Sequence, residues 1–320
     1  MKHISYIILF LISFQGAAQF SNEQQYQIDS LNDIIASPNS HDTSLAGSYV
    51  TLSEILYISS IDTLKYLCEK AKIIAETSLL NDNPEKVQKS LRESLALSLN
   101  NIGYVYNNNG QVKEALDYYS RSLKTYEKIG NKAGIALALN NIGYLYKNKG
   151  EIKEALDYFS RSLKIREEIG DKEDIALSIN NIGFLYQNKG QIKEALDYYS
   201  RSLKIYEEIG NKKGIAMALN NIGLIYKSQG QVQEALNYYN RSLKLREEIG
   251  DKKSIAVSLN NIGYLYKNKG KIKEALDYYD RSLKIYEEIG NKDGIATVLN
   301  NIGSIYKTQG EIKEALGYFN

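Results

Sequence analysis

The sequence predicts an all-α solenoid built from antiparallel helix pairs. Three observations carry that reading: a forty-residue internal period, apolar residues spaced three and four apart inside it, and glycines where helices must stop. Blocks beginning at Asn101, Asn141, Asn181, Asn221 and Asn261 are identical at twenty of their forty positions, and a sixth from Asn301 runs for half a block. Self-similarity of this length marks a repeat array. A propeller blade has a similar period, but its strands need two-residue alternation and a Trp-Asp signature. The chain contains no tryptophan.

From the start of the chain, Met1-Lys2-His3 carries positive charge and Ile4 to Phe14 is an apolar run. Gly16 and Ala18 then stand at the −3 and −1 places of a signal-peptidase site. This pattern predicts a secretory signal peptide over residues 1–18, too short to span a bilayer as a helix. No cysteine follows the small residues, so lipid anchoring gains no support. Residues 19–94 read as an N-terminal helical cap with one divergent repeat. Gln24 to Ala36, Ser44 to Ser59 and Asp62 to Leu79 look helical, separated by Pro38-Asn39-Ser40 and Asn81-Asp82-Asn83-Pro84. Cys68 falls where the regular repeats place Tyr119. Two readings stand for it, a packed hydrophobic thiol and a redox sensor.

Residues 95–320 form the array, five full repeats and a truncated sixth. In the first helix of a block, Ile135, Leu139, Ile142, Gly143 and Tyr146 keep the helical period. Lys149-Gly150 ends it, the glycine suiting a left-handed cap. A second helix runs from about Ile152 to Ile169 with Ala155, Leu156, Phe159 and Leu163 on its apolar side. Gly170 closes it, and Asp171 or its Asn counterparts form the turn. The stop at Asn320, inside a second helix, leads us to expect a longer protein. Position 126 and its equivalents alternate as Tyr126, Arg166, Tyr206, Arg246, Tyr286, in step with Asn131, Asp171, Asn211, Asp251, Asn291. Duplication of a repeat pair explains this; a ligand or self-contact with matching spacing is the other reading.

These residues resemble the tetratricopeptide repeat, W-x2-L-G-x2-Y followed by A-x3-F. Leu99, Ile102, Gly103, Tyr106, Ala115 and Tyr119 match it, as do Leu139, Ile142, Gly143, Tyr146, Ala155 and Phe159. Leu or Ile replaces the tryptophan, and the helix-ending proline is missing, so the second helix extends to Ile129. The longer form is similar to repeats of kinesin light chain, of polarity adaptors that bind Gα-regulatory peptides, and of bacterial sensor proteins. The resemblance implies a right-handed superhelix with the first helix of each pair lining a concave groove. It also implies a non-enzymatic protein- or peptide-binding scaffold. A competing reading makes the chain the sensory part of a longer signalling protein with a histidine kinase, cyclase or DNA-binding output.

Composition narrows the chemistry. Forty Lys and Arg against 38 Asp and Glu leave a net charge of +2, without the basic excess that nucleic-acid binding needs. One cysteine and two histidines leave no basis for a thiolate metal cage. No phosphate cradle, dinucleotide fingerprint or zincin motif appears. We therefore expect no catalytic residue, metal or cofactor, and no membrane contact by the repeats themselves. Glu167-Glu168 and its equivalents read as a solvated face with ion pairs.

What remains is a surface. The outward stripe of the first helices carries Asn100, Asn140, Asn180, Asn220, Asn260 and Asn300. Beside it run Tyr104, Tyr144, Phe184, Leu224 and Tyr264, then Lys147, Gln187, Lys227, Lys267 and Lys307. An asparagine amide donates and accepts, so the row suits the backbone of an extended peptide. In the resembled families matching asparagines hold the ligand backbone. Asn100 can equally bond the neighbouring helix or water. The adjoining row, Asn101 to Asn301, lies nearer the helix seam and reads as structural. The lysines favour an acidic peptide, and open array ends would let copies stack end to end. With the leader, the expected location is periplasmic or extracellular, or tethered to a membrane through a missing C-terminal part.

Overall fold

The computed structural model describes residues 20–56 and 60–319, all-α with fifteen helices and no strand among them. The expected leader lies outside these residues, as do positions 57–59 at the end expected for the second helix. The described residues up to 169 and those from 170 form two compact units. In the first are α1 (Asn22–Ala36), α2 (Asp42–Leu56), α3 (Ile61–Ser78), α4 (Glu85–Asn108), α5 (Val112–Ile129), α6 (Lys132–Asn148) and α7 (Ile152–Ile169). The second holds α8 (Lys172–Asn188), α9 (Ile192–Glu208), α10 (Lys212–Ser228), α11 (Val232–Ile249), α12 (Lys252–Asn268), α13 (Ile272–Glu288), α14 (Lys292–Gln309) and α15 (Ile312–Phe319). Helix α4 crosses the expected boundary at 94/95 without a break.

Each repeat is an antiparallel pair whose second helix packs on the first helix of the next. Tyr119 and Ala115 of α5 bury with Ile142 and Leu145 of α6, and Tyr199 and Ala195 of α9 bury with Ile222 and Ile225 of α10. One pair cannot cover its own apolar side, so these between-repeat cores hold each unit together. First helices also meet first helices, α4 with α2 and α6, and α10 with α8. This forms a continuous first-helix face in each unit.

Two local devices set the pair geometry. The first is a glycine in the first helix: a Cβ on Gly103 would stand 2.8 Å from the ring of Tyr119, and one on Gly143 2.8 Å from Phe159. The aromatic of the repeat motif needs that bare backbone to seat. Opposite it, a fully buried serine of the second helix donates to a first-helix carbonyl. Ser122 bonds Ala96 O at 2.7 Å, Ser162 bonds Ala136 O at 2.8 Å and Ser202 bonds Ala176 O at 2.8 Å. Sequence reasoning passed over this serine, although it is identical in all five blocks.

The residues expected to form turns do more than that. Asn131, Asp171, Asn211, Asp251 and Asn291 are N-caps whose side chains accept the N–H three residues on. A cap of this kind contributes about 1 kcal/mol. The eighty-residue alternation also has a steric basis. The ring of Tyr206 fills the place that a Cβ on Gly214 would take, and the ring of Tyr286 likewise fills that of a Cβ on Gly294. In the alternate repeat Arg246 replaces the ring and bonds Ser254 O at 2.9 Å and Ser258 Oγ at 2.6 Å. Asp251 supplies its counter-charge. Between these two repeats four positions change together, Tyr-Asn-Gly-Ala (206, 211, 214, 218) against Arg-Asp-Ser-Ser (246, 251, 254, 258), while Asp174 and Val298 depart from the two sets in other repeats.

Candidate functional site

The ladder asparagines, Asn100 and Asn140 in the first unit and the other four in the second, lie on the first helices but differ in exposure. Asn100, Asn140 and Asn180 are buried, Asn220 and Asn260 half-buried, and Asn300 exposed. The carbonyls of Asn100, Asn180 and Asn260 face the adjoining row. Asn141 donates to Asn100 Oδ1 at 2.7 Å, Asn221 to Asn180 Oδ1 at 2.9 Å and Asn301 to Asn260 Oδ1 at 2.8 Å. Within each unit the two rows thus form an amide ladder between successive first helices, and the Asn100 amide also donates to Asn101 Oδ1 at 3.3 Å and that of Asn180 to Met217 Sδ at 3.9 Å. Asn140 Oδ1 and Asn220 Oδ1 are enclosed and accept no hydrogen bond from the described residues.

The aromatic and lysine rows are more open. Tyr104 is 40% exposed, while Tyr144, Phe184, Leu224 and Tyr264 are half-buried. Lys147 Nζ lies 4.6 Å from the centroid of Tyr144, and Lys227 Nζ lies 4.2 Å from Tyr264 in the following repeat. Both are cation–π distances. Partial burial holds the Lys147 ammonium below its ordinary range, so an arriving carboxylate would relieve part of its desolvation. Lys267 instead donates to Ser304 Oγ at 2.9 Å, and Lys307 is exposed. Gln187, in the lysine row, accepts from the hydroxyl of Tyr199 at 2.8 Å.

Away from this face a set of charges pairs between helices. Lys132 meets Glu168 at 2.8 Å, Lys172 meets Glu208 at 3.1 Å and Lys212 meets Glu248 at 2.7 Å, each joining the two helices of one pair. Pairs four residues apart add to them, such as Arg161 with Asp157 at 3.5 Å. A stack that sequence reasoning missed recurs on the pair edge. Tyr146 and Tyr158 lie 5.3 Å apart at 10°, with Arg161 5.4 Å from the second ring, and Tyr226, Tyr238 and Arg241 repeat the arrangement. The signal was available, since Tyr146, Tyr158 and Arg161 are identical across the blocks.

Cys68 is fully buried beside Leu64, Ile102 and Val105, and donates to Ser53 Oγ at 3.2 Å. Burial pushes its thiol up to about 11, leaving almost no thiolate near neutrality. Among the described residues no group of His, Cys, Asp or Glu is placed to hold a metal ion. No helix among them is long and apolar enough to cross a membrane.

Solved structures share this architecture at low identity. Apo RapI aligns with a TM-score of 0.64 and 17% identity over 86% of this chain and 94% of its own. Aspartyl phosphate phosphatase F from Bacillus subtilis aligns at 0.60 and 13% over 95% and 94%. A Rap protein complexed with Competence and Sporulation Factor aligns at 0.56 and 15% over 93% and 95%. At such identities the likeness shows the fold alone. Among curated proteins no sequence matches. The tetratricopeptide repeat profile, however, matches residues 94–168, 174–248 and 254–320, most of the chain. Its three segments coincide with the helix pairs and glycine-seated aromatics described above, and the chain belongs to the tetratricopeptide repeat family.

Proposed function

We propose that this repeat protein is a non-catalytic binding module that takes an extended, acidic peptide along its first-helix face. One observation carries the reading: partly exposed aromatic rings of the first helices have lysine ammonium groups beside them, Lys147 at Tyr144 and Lys227 at Tyr264, while Lys132, Lys172 and Lys212 pair with glutamates. Aromatic rows offer apolar contact, and the lysines offer counter-charges to carboxylates or a C-terminus. The asparagine ladder contributes the amide N–H groups that it does not spend on its own neighbours. Binding of Competence and Sporulation Factor by a protein of the same fold supports a ligand-binding role. Export is part of the proposal, resting on the leader-like residues 1–18.

The test is a peptide-library selection on residues 19–320, repeated with Lys227→Glu and Tyr264→Ala. Recovered ligands should be acidic, and either variant should lose roughly tenfold or more in affinity, about 1.4 kcal/mol, with helicity unchanged. Binding that is equal in parent and variants would remove the site from this face. Amino-terminal sequencing of the secreted protein should begin at Gln19.

A further inference from the structure

The divergent helix pair at the start of the chain shares the register of the regular repeats. Cys68 Sγ meets Ser53 Oγ at 3.2 Å, just as the ring of Tyr119 meets Gly103. Ser53 thus stands in the glycine position, and Glu54 stands where the next repeats place Tyr104 and Tyr144. The outward row of the first unit therefore runs Glu54, Tyr104, Tyr144, a carboxylate ahead of two aromatics.

Between the first two lies a cavity of about 320 Å³, lined by Glu54, Leu64, Asn101 and Tyr104. Its chemistry is the reverse of that farther along the row. Partial burial raises the Glu54 carboxyl, still exposed on its outer side, and no cation among the described residues acts against it. Tyr104 exposes 40% of its surface beside that carboxylate, without a lysine of its own repeat, because position 107 is Asn where the next repeat has Lys147. A carboxylate, an open aromatic ring and an apolar wall from Leu64 are the elements that recognise an ammonium group on a methylene stem.

We infer that the cavity between Glu54 and Tyr104 binds the primary ammonium of a peptide, either its free amino terminus or a lysine side chain. This rests on the peptide-binding reading and gives the ligand a direction, ammonium at the Glu54 end and carboxylates toward Lys147. Asn101 contributes shape more than hydrogen bonds, since its carbonyl already accepts from Asn100 at 3.3 Å.

Two measurements on the protein of residues 19–320 test it. Butylammonium is titrated while the ring carbons of Tyr104 are followed by NMR. A saturable shift that Glu54→Gln abolishes, with an unchanged melting curve, is the expected result. Absence of a saturable shift, or its persistence in Glu54→Gln, overturns the ammonium site. Peptide libraries are then compared as lysine-free with a free amino terminus, lysine-free and acetylated, and acetylated with lysine. One ammonium-bearing library should be retained at least tenfold better than the lysine-free acetylated one, and Glu54→Gln should erase the difference. Which of the two is favoured identifies the source of the ammonium. Equal retention of all three overturns the inference while leaving peptide binding in place. Saturable butylammonium binding with no library retained supports the cavity and overturns the peptide reading instead.

Discussion

At position 214 the structure leaves no room for even one carbon, because the Tyr206 ring fills that space. Gly214→Ser should therefore destabilise the protein by about 1–3 kcal/mol, the usual cost of overpacking. The remedy is not a smaller residue at 214 but the alternate set: Tyr206→Arg, Asn211→Asp and Ala218→Ser added to Gly214→Ser. That quadruple variant reproduces the Arg246 arrangement and should regain most of the lost melting temperature. If it melts no higher than the single variant, the four positions are not coupled as described. Cys68 gives a second expectation at this scale. Its buried, protonated thiol should resist an aromatic disulfide reagent at pH 8 in the folded protein and react at once in denaturant. Rapid native labelling would restore the redox-sensor reading.

Within one helix pair, stability comes from a seated aromatic and a buried serine together. A Cβ on Gly183 would stand 3.0 Å from the Tyr199 ring, so Gly183→Leu forces α8 and α9 apart. Repeats lean mainly on their neighbours, and the damage should be local. Hydrogen exchange should show lost protection centred on residues 175–200 and grading outward through α10. Uniform loss along the whole chain would mean a single cooperative core instead. Ser202→Ala is the gentler test, removing one hydrogen bond to Ala176 O at a cost of about 0.5–1.5 kcal/mol plus the orphaned carbonyl. A melting point unchanged by Ser202→Ala would make that bond incidental.

Over the whole molecule, the 27 tyrosines make alkaline pH the condition to probe. Burial raises the phenols of Tyr119, Tyr199, Tyr239 and Tyr279 above their ordinary range. Once pH exceeds about 10 the unfolded chain releases those protons and the folded one retains them, so stability falls as pH rises. Base titration should show a late group of phenolates appearing together with loss of helical circular dichroism; full ionisation with the helices intact would contradict this. The forty-residue period and three-residue steps made the helix pairs legible before any coordinates, down to the glycine stops at Gly130 and Gly150. Side-chain partners were harder to read. The Asn100 amide looks the same in sequence whether it meets a peptide or Asn141, and only the placement of the next helix decides how much capacity is left. Gly134 and Gly214 could have been paired with Tyr126 and Tyr206 by their shared alternation, but one period does not reveal which residues touch. That interlock also bears on how such a gene can change length. The interlocked positions, 206 to 218, lie within one block, so a replication slip that breaks elsewhere leaves each tyrosine with its own glycine, whereas a one-block slip that breaks between 206 and 214 sets a tyrosine against a serine. Surviving variants of the gene that differ by a single block should therefore have their junctions outside this stretch.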